Sequence, residues 1–168
     1  MRYDNQGLTL VEMLVTMVVA AILLAIAVPA MEGISEDSRG RSGADVLYQD
    51  LMLARQLAAS YQNAVTICHL DGSDCDGDWD QGYTIFIDAD RSNSFTSGDE
   101  QIQLRRLASD QDFLNYDANF VRFNADGSSI NNGDFNYCPN SQTSSYSRTV
   151  RLASSGMLTH LGLSGSCS

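Results

Sequence analysis

Near its start the chain carries one long apolar stretch. From Leu8 to Val28 a single charged residue, Glu12, interrupts the run, which continues to Ala30. At about 1.5 Å per residue, a helix of this length crosses a bilayer core of roughly 30 Å. A carboxylate near the end of such a span is costly unless a cation pairs with it. The pattern therefore predicts a membrane-anchored helix with an acid that needs a cationic partner.

Behind this stretch, apolar residues recur at the spacing of an amphipathic helix. The apolar stripe comprises Ala44, Leu47, Leu51, Ala54, Ala58 and Tyr61, whereas the residues largely off it are Gln49, Asp50, Arg55, Gln56 and Ser60. This spacing predicts a helix to about residue 62 whose apolar face lies on a sheet. Gly33, Gly40 and Gly43 separate the two segments, and an interior glycine costs up to about 1 kcal/mol relative to alanine. We expect one long helix, with a flexible linker between two helices as the alternative.

From Ala64 onward the pattern is typical of strands. Apolar, β-branched and aromatic residues cluster or alternate at 64–68, 82–87, 101–107, 119–123, 135–138, 148–153 and, as a last candidate, 157–161. Asp-Gly, Asn-Gly and Ser-Gly pairs between them signal tight turns. Short strands with tight turns predict antiparallel sheets. The predicted fold class is α+β, with a long N-terminal helix, half membrane-spanning and half amphipathic, packed on antiparallel β-sheets.

Charge narrows the choice of partners. The 168 residues, enough for one globular domain and an anchor, include 10 basic residues, all arginine, against 21 acidic ones, a net charge of −11. An acidic domain repels phosphate backbones, so non-specific DNA binding is disfavoured. Arg105, Arg106, Arg148 and Arg151 keep a local DNA-binding patch open. Outward-facing arginines on strands are the favoured interpretation.

The four cysteines, Cys68, Cys75, Cys138 and Cys167, all follow the apolar stretch. A domain exported across a membrane meets an oxidising compartment, so two disulfides are the default. The sequence allows three pairings, of which we expect Cys68–Cys75, closing a short loop, and Cys138–Cys167, tying down the tail. A metal site is disfavoured, because CxxC-like spacing is absent.

The segment from Asp88 to Asp99 imitates a calcium-binding loop. Asp88, Asp90 and Ser92 place oxygen side chains at the first, third and fifth positions, and Asp99 places an acid at the twelfth. Asn93 stands where such a loop needs glycine, and aspartate reaches less far than glutamate. A solvated loop is therefore the favoured interpretation, and we expect no cofactor.

Catalytic patterns are absent from the sequence. It contains no G-x-S-x-G turn and no phosphate-binding loop, and neither His69 nor His160 has an acid at a telling spacing. We therefore predict a protein that is not an enzyme.

The residues around Gly7 resemble the class III signal of type IV pilins and pseudopilins. In that family a short polar leader ends in glycine, a glutamate follows at the spacing of Glu12, and a proline falls where Pro29 lies. The resemblance implies cleavage after Gly7 by a prepilin peptidase and methylation of the new N-terminus at Leu8, where phenylalanine is usual. An amine of this kind on a neighbouring subunit would neutralise Glu12. An ordinary secretory signal has no reason to hold that acid.

The remainder resembles the GspH/FimT/FimU group of minor pseudopilins. The motifs that carry the resemblance are Thr66-Ile67-Cys68, the block from Trp79 to Asp88, the run from Phe123 to Gly127, and the run from Arg151 to Gly156. They span nearly the whole chain and imply the same fold, a long helix on antiparallel sheets. The resemblance divides the chain into a leader at 1–7, a transmembrane and assembly helix at 8–30, and a periplasmic pilin domain at 31–168.

The function implied is that of a FimU-like minor pilin. Such a subunit crosses the inner membrane once, keeps its C-terminal domain in the periplasm, and then enters a filament at or near the tip, where it primes assembly and links tip subunits to the shaft. Its expected partners are other minor pilins, the major pilin and the prepilin peptidase.

Three alternatives stay open. They are a GspH-like pseudopilin of type II secretion, a FimT-like DNA-uptake pilin, and a membrane-tethered periplasmic binding domain that never polymerises. DNA uptake is disfavoured, because the tail after Gly156 contains no arginine, where FimT-like relatives carry a basic G-R-x-R type motif.

Overall fold

The computed structural model describes residues 9–163 and 165–168, with residues 28–30 described by their backbone alone. The chain divides into two compact units, Met1–Ser35 and Glu36–Ser168. One helix, α1 (Leu10–Tyr61), contributes residues to both. Because α1 is a single helix, the predicted long helix is confirmed and the flexible-linker alternative is wrong.

In the second unit α1 buries the predicted apolar stripe. Ala44, Leu47, Leu51, Ala54 and Ala58 are at most 2% exposed. Two expectations about this helix are wrong. Tyr61, predicted on the buried stripe, is 59% exposed in the last turn, and Asp50, predicted off it, is only 4% exposed.

Two helix glycines mark places where the chain comes too close for a side chain. A methyl group on Gly43 would collide with the ring of Tyr137, and one on Gly40 would collide with the carbonyl oxygen of Tyr146. These glycines therefore let neighbouring segments lie directly against the backbone of α1. The lower helix propensity of glycine at these positions is offset by the closer packing that it allows, because a close-packed interior has few voids.

The sheets follow α1 in the chain. The strands are β1 (Ala64–Cys68), β2 (Leu70–Asp71), β3 (Asp74–Cys75), β4 (Tyr83–Asp88), β5 (Glu100–Arg105), β6 (Phe113–Asn115), β7 (Val121–Phe123), β8 (Ser129–Ile130), β9 (Gly133–Cys138), β10 (Arg148–Leu152) and β11 (Leu158–Leu163), and a 3-10 turn spans Trp79–Gln81. One sheet has the order β5-β4-β1-β7-β8 and a second has the order β11-β10-β9-β6, while β2 and β3 form a small hairpin. All the pairings are antiparallel.

The α+β fold is thus confirmed. All seven predicted strands occur, β1 with the predicted bounds and the other six with shifted ends. The sequence analysis missed β2, β3, β6 and β8, none of which exceeds three residues.

Both larger sheets contribute to one core around an aromatic cluster. Trp79 meets Tyr116 and Phe135 edge-on, at centroid distances of 5.7 and 5.3 Å, and the latter two rings stack at 3.8 Å. The indole N–H of Trp79 donates to the carbonyl of Ala118 at 2.8 Å. The W-x-x-G motif therefore places a fully satisfied indole in the core.

Two tight turns meet a side chain from α1. The Arg55 guanidinium donates to the carbonyl of Gly127 at 3.0 Å and to that of Ser155 at 3.3 Å. Gly127 and Gly156 have φ of 76° and 74°, in the left-handed region that favours glycine. A methyl group on Gly156 would collide with the Gly127 carbonyl. The Asp-Gly and Ser-Gly motifs are thus joined in space by one arginine.

Candidate functional site

The described residues of the first unit include a long, exposed apolar segment of α1. Every residue from 9 to 27 is exposed, including Leu10 at 81%, Met17 at 72% and Ile26 at 69%. By length and composition this part of α1 could cross a membrane. So large an apolar surface marks a site for lipid or for other chains.

Glu12 lies in the first turn of α1. Its backbone N–H donates to the Thr9 side-chain oxygen at 3.2 Å, a helix-capping contact. A carboxylate in the first turn is favoured by the helix dipole. Glu12 is therefore placed where its own helix stabilises part of its charge, a role that the sequence analysis missed although the T-x-x-E spacing signals it.

The structure gives no side-chain geometry for three residues that the sequence analysis assigned to processing and assembly. Gly7 and Leu8 lie outside the described residues. Pro29 lies within α1, where only the backbone is described. Their roles remain predictions from the sequence.

The cysteines form two disulfides, Cys68–Cys75 and Cys138–Cys167, with sequence separations of 7 and 29. The first links the end of β1 to β3. The second links the end of β9 to the C-terminal tail, where the Cys167 N–H also donates to the Gln142 carbonyl at 2.9 Å. Both pairs match the pairing expected from the sequence. They leave no free thiol among the described residues.

The loop that imitates a calcium site brings three acids together. Ligand atoms of Asp88, Asp90 and Asp99 all lie within 4.8 Å of one another. Ser92 instead donates its hydroxyl to the Ser94 carbonyl. The Asp88 carboxylate is fully buried and accepts hydrogen bonds from the Thr66 hydroxyl at 2.8 Å and from two backbone amides of the loop.

Asp90 and Asp99 are also bound by the loop itself. Asp99 accepts from the backbone of Ala89 and Thr96 at 2.8 and 2.7 Å. Hydrogen bonds from Ser92 lower the pKa of Asp90. Through these hydrogen bonds the three carboxylates act as caps that order the loop.

A guanidinium from β7 also reaches this loop. Arg122 donates to the carbonyl of Arg91 at 3.0 Å and to the side-chain oxygen of Asn93 at 2.9 Å. Both acceptors lie at left-handed φ values, 59° and 62°. Arg122 therefore ties β7 to this loop through two hydrogen bonds, a contact across about 30 residues that no local pattern predicts.

Each histidine has an acidic neighbour, contrary to the expectation from spacing. His69 Nδ1 lies 2.8 Å from Asp76 Oδ1, and His160 Nε2 lies 3.7 Å from Asp45 Oδ1. Burial opposes ionisation of Asp76, but hydrogen bonds from the Asp78 amide and from His69 lower its pKa. Across residues 9–163 and 165–168, no serine, threonine or cysteine is hydrogen-bonded to either imidazole. Within these residues neither pair therefore belongs to a hydrogen-bonded nucleophile–His–Asp arrangement.

Most of the described arginines are bound by the chain itself. Those that form ion pairs are Arg39 with Asp112, Arg41 with Asp37, Arg105 with Asp50, Arg148 with Asp37, and Arg151 with Asp134. Arg148 is only 8% exposed, so the outward-facing interpretation is wrong for that residue. Of the four arginines weighed for DNA, only Arg106 has no ion-pair partner in the described part of the chain, which leaves little free positive charge for a phosphate backbone.

The buried Asp50 joins α1 to the first sheet. Its carboxylate accepts two hydrogen bonds from Arg105, at 2.8 and 3.0 Å, and one from the Tyr83 hydroxyl at 2.9 Å. Burial and the neighbouring Asp50 charge raise the pKa of Tyr83 well above its ordinary range, so Tyr83 acts as a neutral donor. Asp112 plays a similar part for Tyr137, which donates to it at 2.7 Å.

An exposed apolar helix, followed by a helical segment packed on antiparallel sheets, defines a pilin-like protein. Two family models match the chain: one described as Type II transport protein GspH over residues 43–156, and one described as Prokaryotic N-terminal methylation motif over residues 2–28. The chain therefore belongs to the GspH family, whose members are minor pilins and pseudopilins.

Solved structures show the same fold at low sequence identity. The type IV minor pilin FimU of Pseudomonas aeruginosa superposes with a TM-score of 0.64 at 22% identity, covering 80% of this chain and 99% of that one, and a second crystal form gives 0.60, also at 22%, with 76% and 99% covered. The minor pseudopilin EpsH from the Type 2 Secretion System of Vibrio cholerae gives 0.54 at 16% identity, covering 74% and 97%. No curated protein sequence matches the chain. These relatives are structural pilins.

Proposed function

We propose that this chain is a minor pilin that enters a type IV pilus at or near its tip, primes assembly there, and links tip subunits to the shaft. Before assembly it crosses the inner membrane once through the helix at 8–30, with residues 31–168 in the periplasm. A prepilin peptidase cuts it after Gly7, and Leu8 becomes the methylated N-terminus. The chain acts by packing against other pilins and carries out no catalysis.

The observation that supports this proposal most is the uncovered apolar helix of the first unit. Its side chains gain about 25 cal/mol for each Å² removed from water, which either lipid or neighbouring helices supply. Membrane and filament are therefore two environments of similar apolar character. Moving between them needs no refolding.

Glu12 distinguishes the two environments. In the membrane its carboxylate lies near the end of an apolar span. In a filament the N-terminal amine of an adjacent subunit, created by cleavage after Gly7, pairs with it. Because an unpaired charge in an apolar assembly is strongly disfavoured, this pairing selects one axial position of the helix.

The tip position is tested by locating the chain in filaments. An epitope tag after Ser168, detected by gold labelling of sheared filaments, should mark one end. Deleting the gene should reduce the number of filaments per cell without shortening those that remain. Labelling along the whole length would contradict the tip position, and unchanged filament numbers would contradict priming.

The second candidate is a pseudopilin of type II secretion, favoured by the family description and by the fold of EpsH. The same deletion strain separates the two. If deletion removes pili and leaves enzyme secretion normal, the chain serves the pilus. If it leaves pili normal and secreted enzymes accumulate inside the cell, the chain serves the secretion system. If the chain is a tethered domain that never polymerises, we expect the deletion to affect neither piliation nor enzyme secretion.

A further inference from the structure

The first sheet contains a buried hydroxyl group that has no hydrogen-bond partner in the described part of the chain. It belongs to Thr84 of β4, which is only 4% exposed. Among the described residues, every other buried polar or charged side chain has at least one hydrogen bond. Because a buried hydroxyl without a hydrogen bond is unfavourable, Thr84 is a group that a ligand can satisfy.

The register of the sheet places Thr84 on the face away from α1. Its neighbour Tyr83 donates to Asp50 of α1, and Arg105, which lies opposite Tyr83, binds the same carboxylate. Successive side chains of a strand point to opposite faces. Thr84 and Leu104, which also lie opposite each other, therefore point away from α1. There they line a groove of 520 Å³, within the range of about 300–1,000 Å³ that is typical of ligand sites.

The groove carries charges of both signs. Its charged side chains are Asp80 of the 3-10 turn, and Arg106 and Asp110 of the segment that follows β5. His69 also lines it and is held by Asp76 at 2.8 Å. Within the described residues, neither Arg106 nor Asp110 forms an ion pair or a side-chain hydrogen bond. A strongly charged ligand of either sign would meet a like charge here, which is unfavourable.

The polar groups of the groove require a ligand that both donates and accepts hydrogen bonds. Asp80 Oδ1 accepts from the Leu114 amide at 2.7 Å. Burial nevertheless raises the pKa of Asp80, so a further donor would stabilise its charge. The Thr84 hydroxyl and the Gln81 amide each donate and accept, whereas the Arg106 guanidinium only donates. Hydroxyl groups on a ligand match this set, because each offers one donor and two acceptor lone pairs.

We propose that this groove binds a neutral saccharide. Hydroxyl groups of the sugar donate to Asp80 and Asp110 and accept from Arg106. The Thr84 hydroxyl gains its missing partner at the floor of the groove. Apolar contacts with the C–H groups of a sugar ring come from three leucines, Leu70, Leu104 and Leu107. The inference goes beyond the proposed function, since it does not depend on filament formation.

Nucleic acids and peptides fit this groove less well. The phosphates of a nucleic acid would meet the carboxylates of Asp80 and Asp110. An extended peptide binds a sheet by pairing its backbone with a free strand edge. The groove lies on the face of the sheet instead, where β4 is already paired with β1 and β5. A saccharide needs only the side-chain groups that this face offers.

The test compares ligands of different charge with the full chain. The neutral probes are cellotetraose and chitotetraose, and the charged probes are deacetylated chitotetraose, a cation, and tetragalacturonate, an anion. A capped tetraalanine peptide is a further control. The chain is kept in micelles of a detergent without a sugar head group, and saturation-transfer NMR detects bound ligand. We expect saturation transfer to at least one neutral tetrasaccharide and none to the charged sugars or the peptide.

The variant Thr84→Val removes the hydroxyl while keeping the shape of the side chain. It should weaken sugar binding about two- to tenfold, the range of one hydrogen bond. The urea midpoint of the second unit should stay unchanged or rise, because the hydroxyl has no partner in the described residues. Thr66→Val is the matched control. The Thr66 hydroxyl donates to Asp88 at 2.8 Å, so this variant should lower the midpoint and leave sugar binding unchanged.

A second pair of variants tests the guanidinium. Arg106→Gln should weaken sugar binding by at least about threefold, because a charged donor is lost. Arg91→Gln removes the same charge from an exposed position that does not line the groove, and it should leave sugar binding unchanged.

Absence of saturation transfer to both neutral tetrasaccharides would overturn the proposal. Tighter binding of a charged sugar or of the peptide would overturn the choice of ligand. Sugar binding that is insensitive to both Thr84→Val and Arg106→Gln would overturn the assignment to this groove. None of these results bears on filament assembly, so failure of this inference is distinguishable from failure of the proposed function.

Discussion

The two units of the chain use their apolar residues in opposite ways. In the first unit, residues 10–27 are almost entirely apolar and all of them are exposed. In the second, Trp79, Phe123 and Phe135 are at most 2% exposed, and the buried Asp50 has its hydrogen-bond partners. The second unit therefore buries its apolar side chains within one chain, whereas the apolar side chains of the first unit remain exposed to lipid or to other subunits.

This difference predicts that the two units respond independently to mutation. Changes in the second unit should alter its unfolding, and changes in the first should alter only its assembly. Trp79 is the single tryptophan of the chain and lies in the core of the second unit, so its fluorescence reports that unit alone. Urea unfolding of the full chain in detergent micelles is the common measurement for the stability predictions below.

The largest expected effect comes from the disulfide that holds the tail. Replacing Cys138 and Cys167 together by serine opens a link with a sequence separation of 29. Loop entropy predicts a loss of about 3–4 kcal/mol for this link and about 2–3 kcal/mol for the shorter one. The double variant Cys68→Ser/Cys75→Ser is the matched control. An equal or larger loss in the control would show that loop length does not govern the stabilisation.

The next effect tests the close approach at Gly43. A methyl group there must displace the ring of Tyr137, and overpacking of this kind costs about 1–3 kcal/mol, more than the helix propensity that alanine gains. Gly98→Ala is the control, because nothing lies within 4 Å of the added methyl. If Gly43→Ala stabilises the protein, the glycine serves flexibility and the packing explanation fails.

The third effect is a shift with pH. The hydrogen bonds from Arg151 lower the pKa of Asp134 against the opposing effect of burial. A lowered pKa means that the stabilisation is present above the unfolded value of 3.8 and is lost as the pH falls through the folded value. Asp134→Asn should therefore reduce stability slightly at pH 7 and flatten its decline in acid. An unchanged profile for Asp134→Asn would contradict this assignment.

The smallest expected effect on unfolding comes from Glu12→Ala, which should leave the urea midpoint of the second unit unchanged. Membrane insertion should be unharmed or improved, because a charge leaves the span. Incorporation into sheared filaments, measured at equal membrane levels, should nevertheless fall, since the amine of a neighbour loses its partner. Thr16→Ala in the same helix is the control. A shifted midpoint would show that the two units are energetically coupled, and full incorporation would remove the register role of Glu12.

The hydrophobic pattern was enough to predict the elements that are long enough to show a period. The stripe from Ala44 to Ala58 and the strands of five or six residues contain enough positions to display their period. β2 and β8, with two residues each, contain too few. The long helix and the antiparallel class were predictable for the same reason, and family motifs added the order in which the elements follow.

The sequence could not predict contacts between residues far apart in the chain. Asp50 was expected off the buried stripe because its partners, Tyr83 and Arg105, lie 33 and 55 positions away. The acidic neighbour of His160, Asp45, is more remote still, on α1. Gly40 and Gly43 were interpreted as weak points of the helix, since sequence alone cannot distinguish a glycine that loosens a helix from one that admits a ring.

The most direct test of the central claim is the N-terminus of the chain found in filaments. Mass spectrometry of the sheared filament fraction should show a mature chain that begins at N-methylated Leu8, and Gly7→Glu should leave full-length precursor in the membrane and none in the filament fraction. Gly33→Glu, outside the predicted cleavage site, should be processed normally. Full-length chain in wild-type filaments, or normal maturation of Gly7→Glu, would contradict the account of this protein as a processed minor pilin.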